Sequence, residues 1–156
     1  MPVKQSILVL IGSLGLCFLT ALIGSQFAPG EWYRMILKPR WTPPNAVFAP
    51  VWTVLFALMA IAAWLIWQQA GFGAGAFPLV VFVVQLGLNA AWSYFFFGLH
   101  RPGLALGGIV VLWLAILVTL ISFWSVRPVA GALLVPYAFW VGFAGVLNHA
   151  IWRLNR

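Results

Sequence analysis

Amide, hydroxyl and indole side chains recur at helical spacing within an apolar segment of this 156-residue chain. Gln85, Asn89 and Ser93 are four residues apart, and Trp92 lies on the same stripe. At about 100° per residue these positions share one helix face. An amide that faces an apolar exterior has no hydrogen-bond partner, so we expect this face to point into a bundle. There the amides serve either as interhelical hydrogen bonds or as a polar surface for a ligand.

Two further segments carry large rings at the same spacing. One stripe consists of Phe48, Trp52, Phe56 and Met59, and the other of Tyr137, Trp140, Ala144 and Asn148. Core packing accounts for any one such stripe. Three stripes in a single small chain favour an enclosed site, where aromatic contacts of about 0.5 to 1.5 kcal/mol each hold a flat conjugated ligand and hydrogen bonds hold its polar edges.

The residue sets of most enzymes are missing from the sequence. Glu31 is the one acidic residue, so the chain has no paired carboxylates, no Ser-His-Asp set and no acid within an apolar segment to carry protons. His100 and His149 lie in different segments without the spacing of metal ligands. We therefore expect no metal site and no required cofactor.

The composition excludes a water-solvated globular surface. Hydrophobic residues make up 65% of the chain and charged residues 6%, whereas charged residues are about 25% of an ordinary soluble domain. The net charge of +7 comes from bases scattered over loops and termini, and a nucleic-acid-binding protein would cluster them on one solvated face. Lipid is the expected surrounding, and nucleic acid is not an expected partner.

Five uncharged segments are long enough to cross a bilayer, which takes roughly 20 apolar residues. They cover residues 7–27, 46–68, 77–98, 103–124 and 129–152. Membrane strands are excluded because the segments lack alternation of apolar and polar residues. The sequence predicts an all-α integral membrane protein, a five-transmembrane-helix bundle that forms one domain over residues 1–156. A cleaved signal at the first segment is a weaker alternative, since no clear small-x-small site follows it.

The loop of residues 28–45 is predicted to cover the mouth of this bundle. A short helix from Gly30 to Leu37, with Glu31 paired to Arg34, should precede the prolines that start the second span. The three bases of the loop could meet carboxylates of a ligand or anionic lipid headgroups.

Basic residues are unequally divided between the two ends of the spans. Lys4 and Arg127 lie at one end, and the other end has Arg34, Lys38, Arg40, Arg101, Arg153 and Arg156. The positive-inside rule predicts a multi-pass protein with its N-terminus outside and its C-terminus in the cytoplasm.

Pairs of small residues four apart permit close approach of membrane helices. Such pairs are Gly87 with Ala91 on the third span and Gly103 with Gly107 on the fourth. We expect the third span to form the interface of a homodimer.

Three blocks of sequence carry a family resemblance. They read WYRMILKPRWTPPNAVFAPVWTVLF, QLGLNAAWSYFFFG and VPYAFWVGFAGVLN. In order and spacing they resemble the TspO/MBR family, the tryptophan-rich sensory proteins of bacteria and the translocator (peripheral benzodiazepine receptor) proteins of mitochondria. The resemblance extends from about Ile7 to Trp152. It implies a bacterial, usually dimeric membrane receptor that binds porphyrins such as protoporphyrin IX, and isoquinoline carboxamide or benzodiazepine ligands, beneath the first loop.

Matched block by block, the resemblance also implies a set of pocket residues. These are Tyr33, Pro43, Trp52, Phe56, Asn89, Trp92, Trp140 and Ala144. Tyr137 joins them from its stripe on the fifth span. In some bacterial relatives the tryptophans matching Trp52 and Trp140 are tied to light-dependent porphyrin breakdown, so these two are the catalytic residues if this protein is a porphyrin-degrading enzyme. A scaffold subunit without a ligand is the third hypothesis.

The chain departs from the family at the end of the fifth span. Mitochondrial members carry a sterol-recognition pattern there, with tyrosine between an aliphatic residue and arginine. Residues 146–153 of this chain read VLNHAIWR, with His149 and Ala150 where tyrosines would stand. This difference puts sterol binding in doubt.

Overall fold

A computed structural model describes residues 2–156 of the chain. Its helices are α1 (Val3–Ser25), α2 (Glu31–Met35), α3 (Asn45–Ala70), α4 (Ala76–Ser93), α5 (Pro102–Val126) and α6 (Pro128–Leu154). A π-helical turn, Tyr94–Gly98, continues α4. All but α2 are long and apolar enough to cross a membrane, and no strand occurs in the described part of the chain. The predicted all-α, five-helix membrane protein is confirmed.

The observed spans run slightly beyond most of the predicted bounds. The first helix begins at Val3 rather than at residue 7, and the last ends at Leu154 rather than at residue 152. Apolarity marks the part of a helix that lies in hydrocarbon, whereas backbone hydrogen bonding continues into the headgroup layer. Gly71 ends α3 with φ of 56°, a conformation that favours glycine. The loop helix is shorter than the predicted 30–37, because the backbone is already extended at Ile36.

The spanning helices form a closed ring whose order differs from their order in the chain. α1 packs against α3 and α4, α3 packs against α6, and α5 lies between α6 and α4. The order around the ring is therefore α1, α3, α6, α5, α4. This order brings α1, α3, α4 and α6 around one interior space.

Large apolar side chains fill the centre of the ring. Phe82 of α4 stacks on Phe123 of α5 with ring centroids 5.7 Å apart, and both side chains are fully buried. Gly131 lets α6 begin close to the end of α5, because a Cβ there would lie 2.7 Å from Cβ of Trp124. The tight connection between the two helices thus requires a residue without a side chain.

The small residues predicted to mediate contacts between protomers differ in their surroundings. A Cβ at Gly103 would lie 2.8 Å from Nε1 of Trp152, so Gly103 serves packing within its own chain. A Cβ at Gly87 or at Gly107 would meet no atom within 4 Å. All three glycines are exposed, but only Gly103 lies against a side chain of its own chain, whereas Gly87 and Gly107 have free space beside them on the outside of the bundle.

Candidate ligand site

A cavity of about 430 Å³ lies between α1, α3, α4 and α6, in the half of the bundle nearest α2. Cavities that bind small molecules usually measure about 300 to 1,000 Å³. Aromatic side chains dominate its wall: Phe48, Trp52 and Phe56 from α3, Trp92 from α4, Phe97 from the π-helical turn and Trp140 from α6. The ring order of the helices is what makes these faces converge.

Seven of the nine predicted pocket residues line this cavity. They are Tyr33, Trp52, Phe56, Asn89, Trp92, Trp140 and Ala144. The wall therefore includes Trp52 and Trp140, the two candidate catalytic tryptophans. The structure does not place the other two residues on the wall. Pro43 lies half-buried just before α3, and Tyr137 lies in the core behind the wall, 1% exposed.

One side of the cavity could not be predicted from the stripes. α1 contributes Phe18, Thr20, Ala21 and Gly24 to the wall. The small residues Ala21 and Gly24 leave room beside the large rings of the other helices. These two residues are the sequence feature that could have indicated the inward face of α1, because they interrupt a run otherwise rich in Leu and Ile. Because α1 has no amide or indole stripe, its sequence did not show which face points inward.

Trp140, whose side chain lines the cavity, has an unsatisfied indole donor. Its Nε1 is buried and has no hydrogen-bond partner among residues 2–156. The indole is held by Phe48 and Phe143, with ring centroids 5.8 and 5.6 Å away. A buried donor without an acceptor costs about 1 to 3 kcal/mol. A movement of the indole that opened this nitrogen to an acceptor atom would remove that cost.

A buried chain of hydrogen bonds lies behind the wall. Asn89 Nδ2 donates to the phenol oxygen of Tyr137 at 2.9 Å, and that phenol donates to Gln85 Oε1 at 2.7 Å. The ring of Tyr137 meets Trp52 edge-on, with centroids 6.2 Å apart. Gln85 thus acts in interhelical bonding, and Asn89 does so while also lining the cavity.

A second amide fixes the orientation of Trp92. Trp92 Nε1 donates to Asn148 Oδ1 at 3.0 Å, and Asn148 Nδ2 donates to the carbonyl of Pro102 at 2.8 Å. One asparagine therefore connects α4, α5 and α6. With its nitrogen engaged on α6, Trp92 offers the cavity a ring surface and no free donor.

The segment that contains α2 covers the cavity from the side of the loop. Tyr33 is buried against Phe96 and Phe97 and reaches the cavity wall. Burial raises the pKa of the Tyr33 phenol above its usual value, so this group is uncharged at neutral pH. Trp32 stacks on His100, with centroids 4.6 Å apart, which joins the cover to the turn before α5.

Two of the three loop bases are engaged within the loop itself. Lys38 Nζ donates to the backbone carbonyls of Tyr33, Arg34 and Ile36, and so closes the end of α2. Arg34 pairs with Glu31 at 2.9 Å. Neither these two bases nor Arg40 lines the cavity. The structure thus offers no loop base at the wall for a ligand carboxylate within the described residues.

Fold and cavity together define a multi-pass integral membrane protein with a ligand-sized aromatic cavity inside its helix bundle. The chain belongs to the TspO/MBR family, whose model matches residues 8–153. Two bacterial relatives are each 40% identical to it. The tryptophan-rich protein TspO of Chlorobaculum tepidum aligns over 97% of this chain and 99% of its own length. Protein CrtK of Rhodobacter capsulatus aligns over 89% of this chain and 88% of its own length.

The similarity extends to mammals. The human translocator protein is 39% identical over 92% of this chain and 85% of its own length. The family resemblance seen in the three sequence blocks is confirmed by these matches.

Proposed function

We propose that this protein is a membrane receptor that binds porphyrins, such as protoporphyrin IX, and similar flat hydrophobic ligands in the aromatic cavity, and carries or senses them. The observation that supports this most directly is the cavity wall itself. It brings together the indoles of Trp52, Trp92 and Trp140, and the N–H of Trp140 has no hydrogen-bond partner among the described residues. The names of the relatives, a tryptophan-rich sensory protein and a translocator protein, suit a sensing or carrying role.

The physical reason concerns the source of affinity. A ligand dissolved in lipid gains little from moving into an apolar pocket, because acyl chains are equally apolar. Affinity must come from ring contacts and from fixed hydrogen bonds. A planar macrocycle with polar edges obtains both from this wall.

A titration in the dark tests the proposal. Purified protein in detergent is titrated with protoporphyrin IX, following the porphyrin absorbance together with tryptophan fluorescence. We expect saturable binding that Trp140→Ala weakens at least about tenfold, since it removes a ring contact and the free donor. The matched control is Trp124→Ala, because Trp124 is 47% exposed and outside the wall. Absence of saturable binding at micromolar protein would leave only the scaffold hypothesis.

The competing enzymatic function is favoured by one observation, that Trp52 and Trp140 line the same cavity. In this function the photoexcited porphyrin takes one electron from an indole, which leaves an indole radical cation and a porphyrin radical anion. The radical anion forms a C–O bond with dissolved dioxygen, and the adduct returns the electron to the indole radical cation, so that the net reaction is addition of O₂ to the porphyrin ring. The same samples are illuminated while the porphyrin absorbance is recorded. Protein-dependent bleaching that Trp52→Phe abolishes supports the enzyme, and stable absorbance supports the receptor.

We also propose that two copies pair through the outer face of α4 around Gly87 and Ala91. Gly87 is exposed, and a Cβ there would meet no atom of its own chain within 4 Å. Such a face permits close approach of a second helix.

From the division of the basic residues, we place the C-terminus in the cytoplasm and the N-terminus outside a bacterial inner membrane.

A further inference from the structure

In the hydrogen bonds behind the cavity, each group donates in one direction only. A methionine at the end farthest from the cavity determines which way they run. Gln85 Nε2 faces Sδ of Met59 at 3.7 Å. A thioether sulfur accepts hydrogen bonds but has no proton to donate. Gln85 must therefore turn its amino group toward Met59 and its Oε1 toward Tyr137.

The orientation of Gln85 determines how Tyr137 bonds, and Tyr137 in turn determines the orientation of Asn89. Tyr137 donates its single proton to Gln85 Oε1 at 2.7 Å, so toward Asn89 its oxygen can only accept. Asn89 meets that requirement by turning Nδ2 to the phenol at 2.9 Å. Gln85 and Tyr137 are 1% exposed and Asn89 is 5% exposed, so each amide orientation is set by its protein partners.

As a result, the Asn89 side chain offers the cavity a hydrogen-bond acceptor in a fixed orientation. With Nδ2 held by Tyr137, the remaining edge of the Asn89 amide is Oδ1, and no donor from the described residues is bonded to it. We propose that Gln85 and Tyr137 are positioning residues that hold the Asn89 amide with its oxygen toward the cavity, so that the site selects ligands with an N–H or O–H donor at that edge. For protoporphyrin IX this donor is the un-ionised carboxylic acid of a propionate side chain. This inference rests on the proposed porphyrin-binding function.

Two isosteric probes test the selection. Mesoporphyrin IX bis(N-methylamide) and mesoporphyrin IX dimethyl ester differ only in that an N–H of the first is an ether-type oxygen in the second. The amide donates to an acceptor, whereas the ester oxygen repels it. We expect the wild-type protein to bind the amide about tenfold more tightly than the ester, measured by porphyrin absorbance in the dark.

Two substitutions behind the cavity wall should change the orientation of the Asn89 amide. Gln85→Leu removes the acceptor of the Tyr137 proton, so that proton is free to go to Asn89 Oδ1 and the amide turns its NH₂ to the cavity. Tyr137→Phe removes the partner of Nδ2, which also releases the amide. We expect the amide-to-ester preference to fall below about threefold in Tyr137→Phe and to disappear or reverse in Gln85→Leu.

A matched control removes a buried hydroxyl that takes no part in the hydrogen bonds among Gln85, Tyr137 and Asn89. Thr119 is 1% exposed and bonds only the Ala115 carbonyl of its own helix, at 2.7 Å. Thr119→Val should keep the wild-type preference even if it lowers stability. A change in the ratio of two affinities is not expected from a general loss of stability, which would affect both probes alike.

A measurement without ligand separates this inference from the proposed function. Hydrogen exchange of the Asn89 side-chain amide, assigned by its loss in Asn89→Ala, should be slow in the wild type and faster in Gln85→Leu. If neither probe binds but this difference is found, porphyrin binding fails and the oriented amide stands. A wild-type preference near one, a preference unchanged in both variants, or equal exchange in wild type and Gln85→Leu would each overturn the positioning role.

Discussion

A single nitrogen atom of Trp140 makes opposite contributions to stability and to binding. In the free protein its buried N–H has no acceptor among the described residues, at a cost of about 1 to 3 kcal/mol. Trp140→Phe keeps a ring beside Phe48 and Phe143 and removes that cost, which offsets the weaker packing of a phenyl ring in the space of an indole. We expect a Tm at or above that of the wild type, measured by thermal unfolding in detergent.

The same substitution should weaken binding of protoporphyrin IX about three- to tenfold, because the side chain can no longer turn an N–H to an acceptor atom of the ligand. Trp124→Phe, at a tryptophan outside the wall, is the control for the loss of an indole as such. An unchanged dissociation constant in Trp140→Phe would mean that the ligand makes no hydrogen bond to this nitrogen.

The residues of the cavity were largely predictable, but their depth was not. Periodicity gives the angle at which a side chain leaves its helix, and it grouped Trp52 with Phe56 and Asn89 with Trp92, all of which line the cavity. It does not give the distance from the wall. Tyr137 shares the inward face of α6 with Trp140, yet it lies behind the wall because its phenol is bonded to Gln85 and Asn89.

The spanning helices could be predicted from the sequence because a bilayer restricts both their length and their composition. A span must be long and uncharged, so the five spanning helices follow from composition alone. Their order around the ring does not, since short connections make chain neighbours antiparallel but do not say that α3 meets α6. The contribution of α1 to the cavity was missed because its neighbours in the ring were unknown and because α1 has no amide or indole stripe to mark its inward face. The π-helical turn after α4 has no signal in hydropathy either.

Besides the ring contacts of Trp32 and Tyr33, hydrogen bonds from Asn155 at the end of α6 hold the loop that covers the cavity. Asn155 Oδ1 accepts from the backbone N–H of Leu37 at 2.9 Å, and its Nδ2 donates to the Leu37 carbonyl at 2.8 Å. Asn155→Ala removes both bonds across the two segments. We expect faster backbone hydrogen exchange in residues 31–40 and a several-fold faster dissociation of protoporphyrin IX, on the order of 1 kcal/mol for each lost bond.

Arg153→Gln is the control for this prediction, because Arg153 is exposed on the last turn of α6 and makes no contact with Leu37 in the described hydrogen-bond network. It should leave both exchange and dissociation as in the wild type. If exchange in the loop increases while dissociation does not, the loop is held by Asn155 but does not control exit of the ligand.

At the scale of the whole molecule, the outer surface combines apolar helices with an excess of positive charge. Glu31 is already paired with Arg34, so the other bases have no acidic partner in the chain. We expect anionic lipid headgroups to balance this charge at the surface of the membrane. The pairing of copies proposed above would therefore depend on close packing of small residues within the hydrocarbon.

Two exposed glycines make this expectation testable with matched substitutions. A side chain added at Gly87 on α4, or at Gly107 on α5, meets no atom of its own chain within 4 Å. Leucine at either position should therefore leave the monomer fold intact apart from a helix-propensity gain of about 0.5 to 1 kcal/mol. If copies pair through α4, only Gly87→Leu should convert dimers to monomers of 17.2 kDa, as measured by light scattering corrected for detergent. Loss of the dimer in Gly107→Leu alone would move the interface to α5, and dimers in both variants would exclude close helix contact at either glycine.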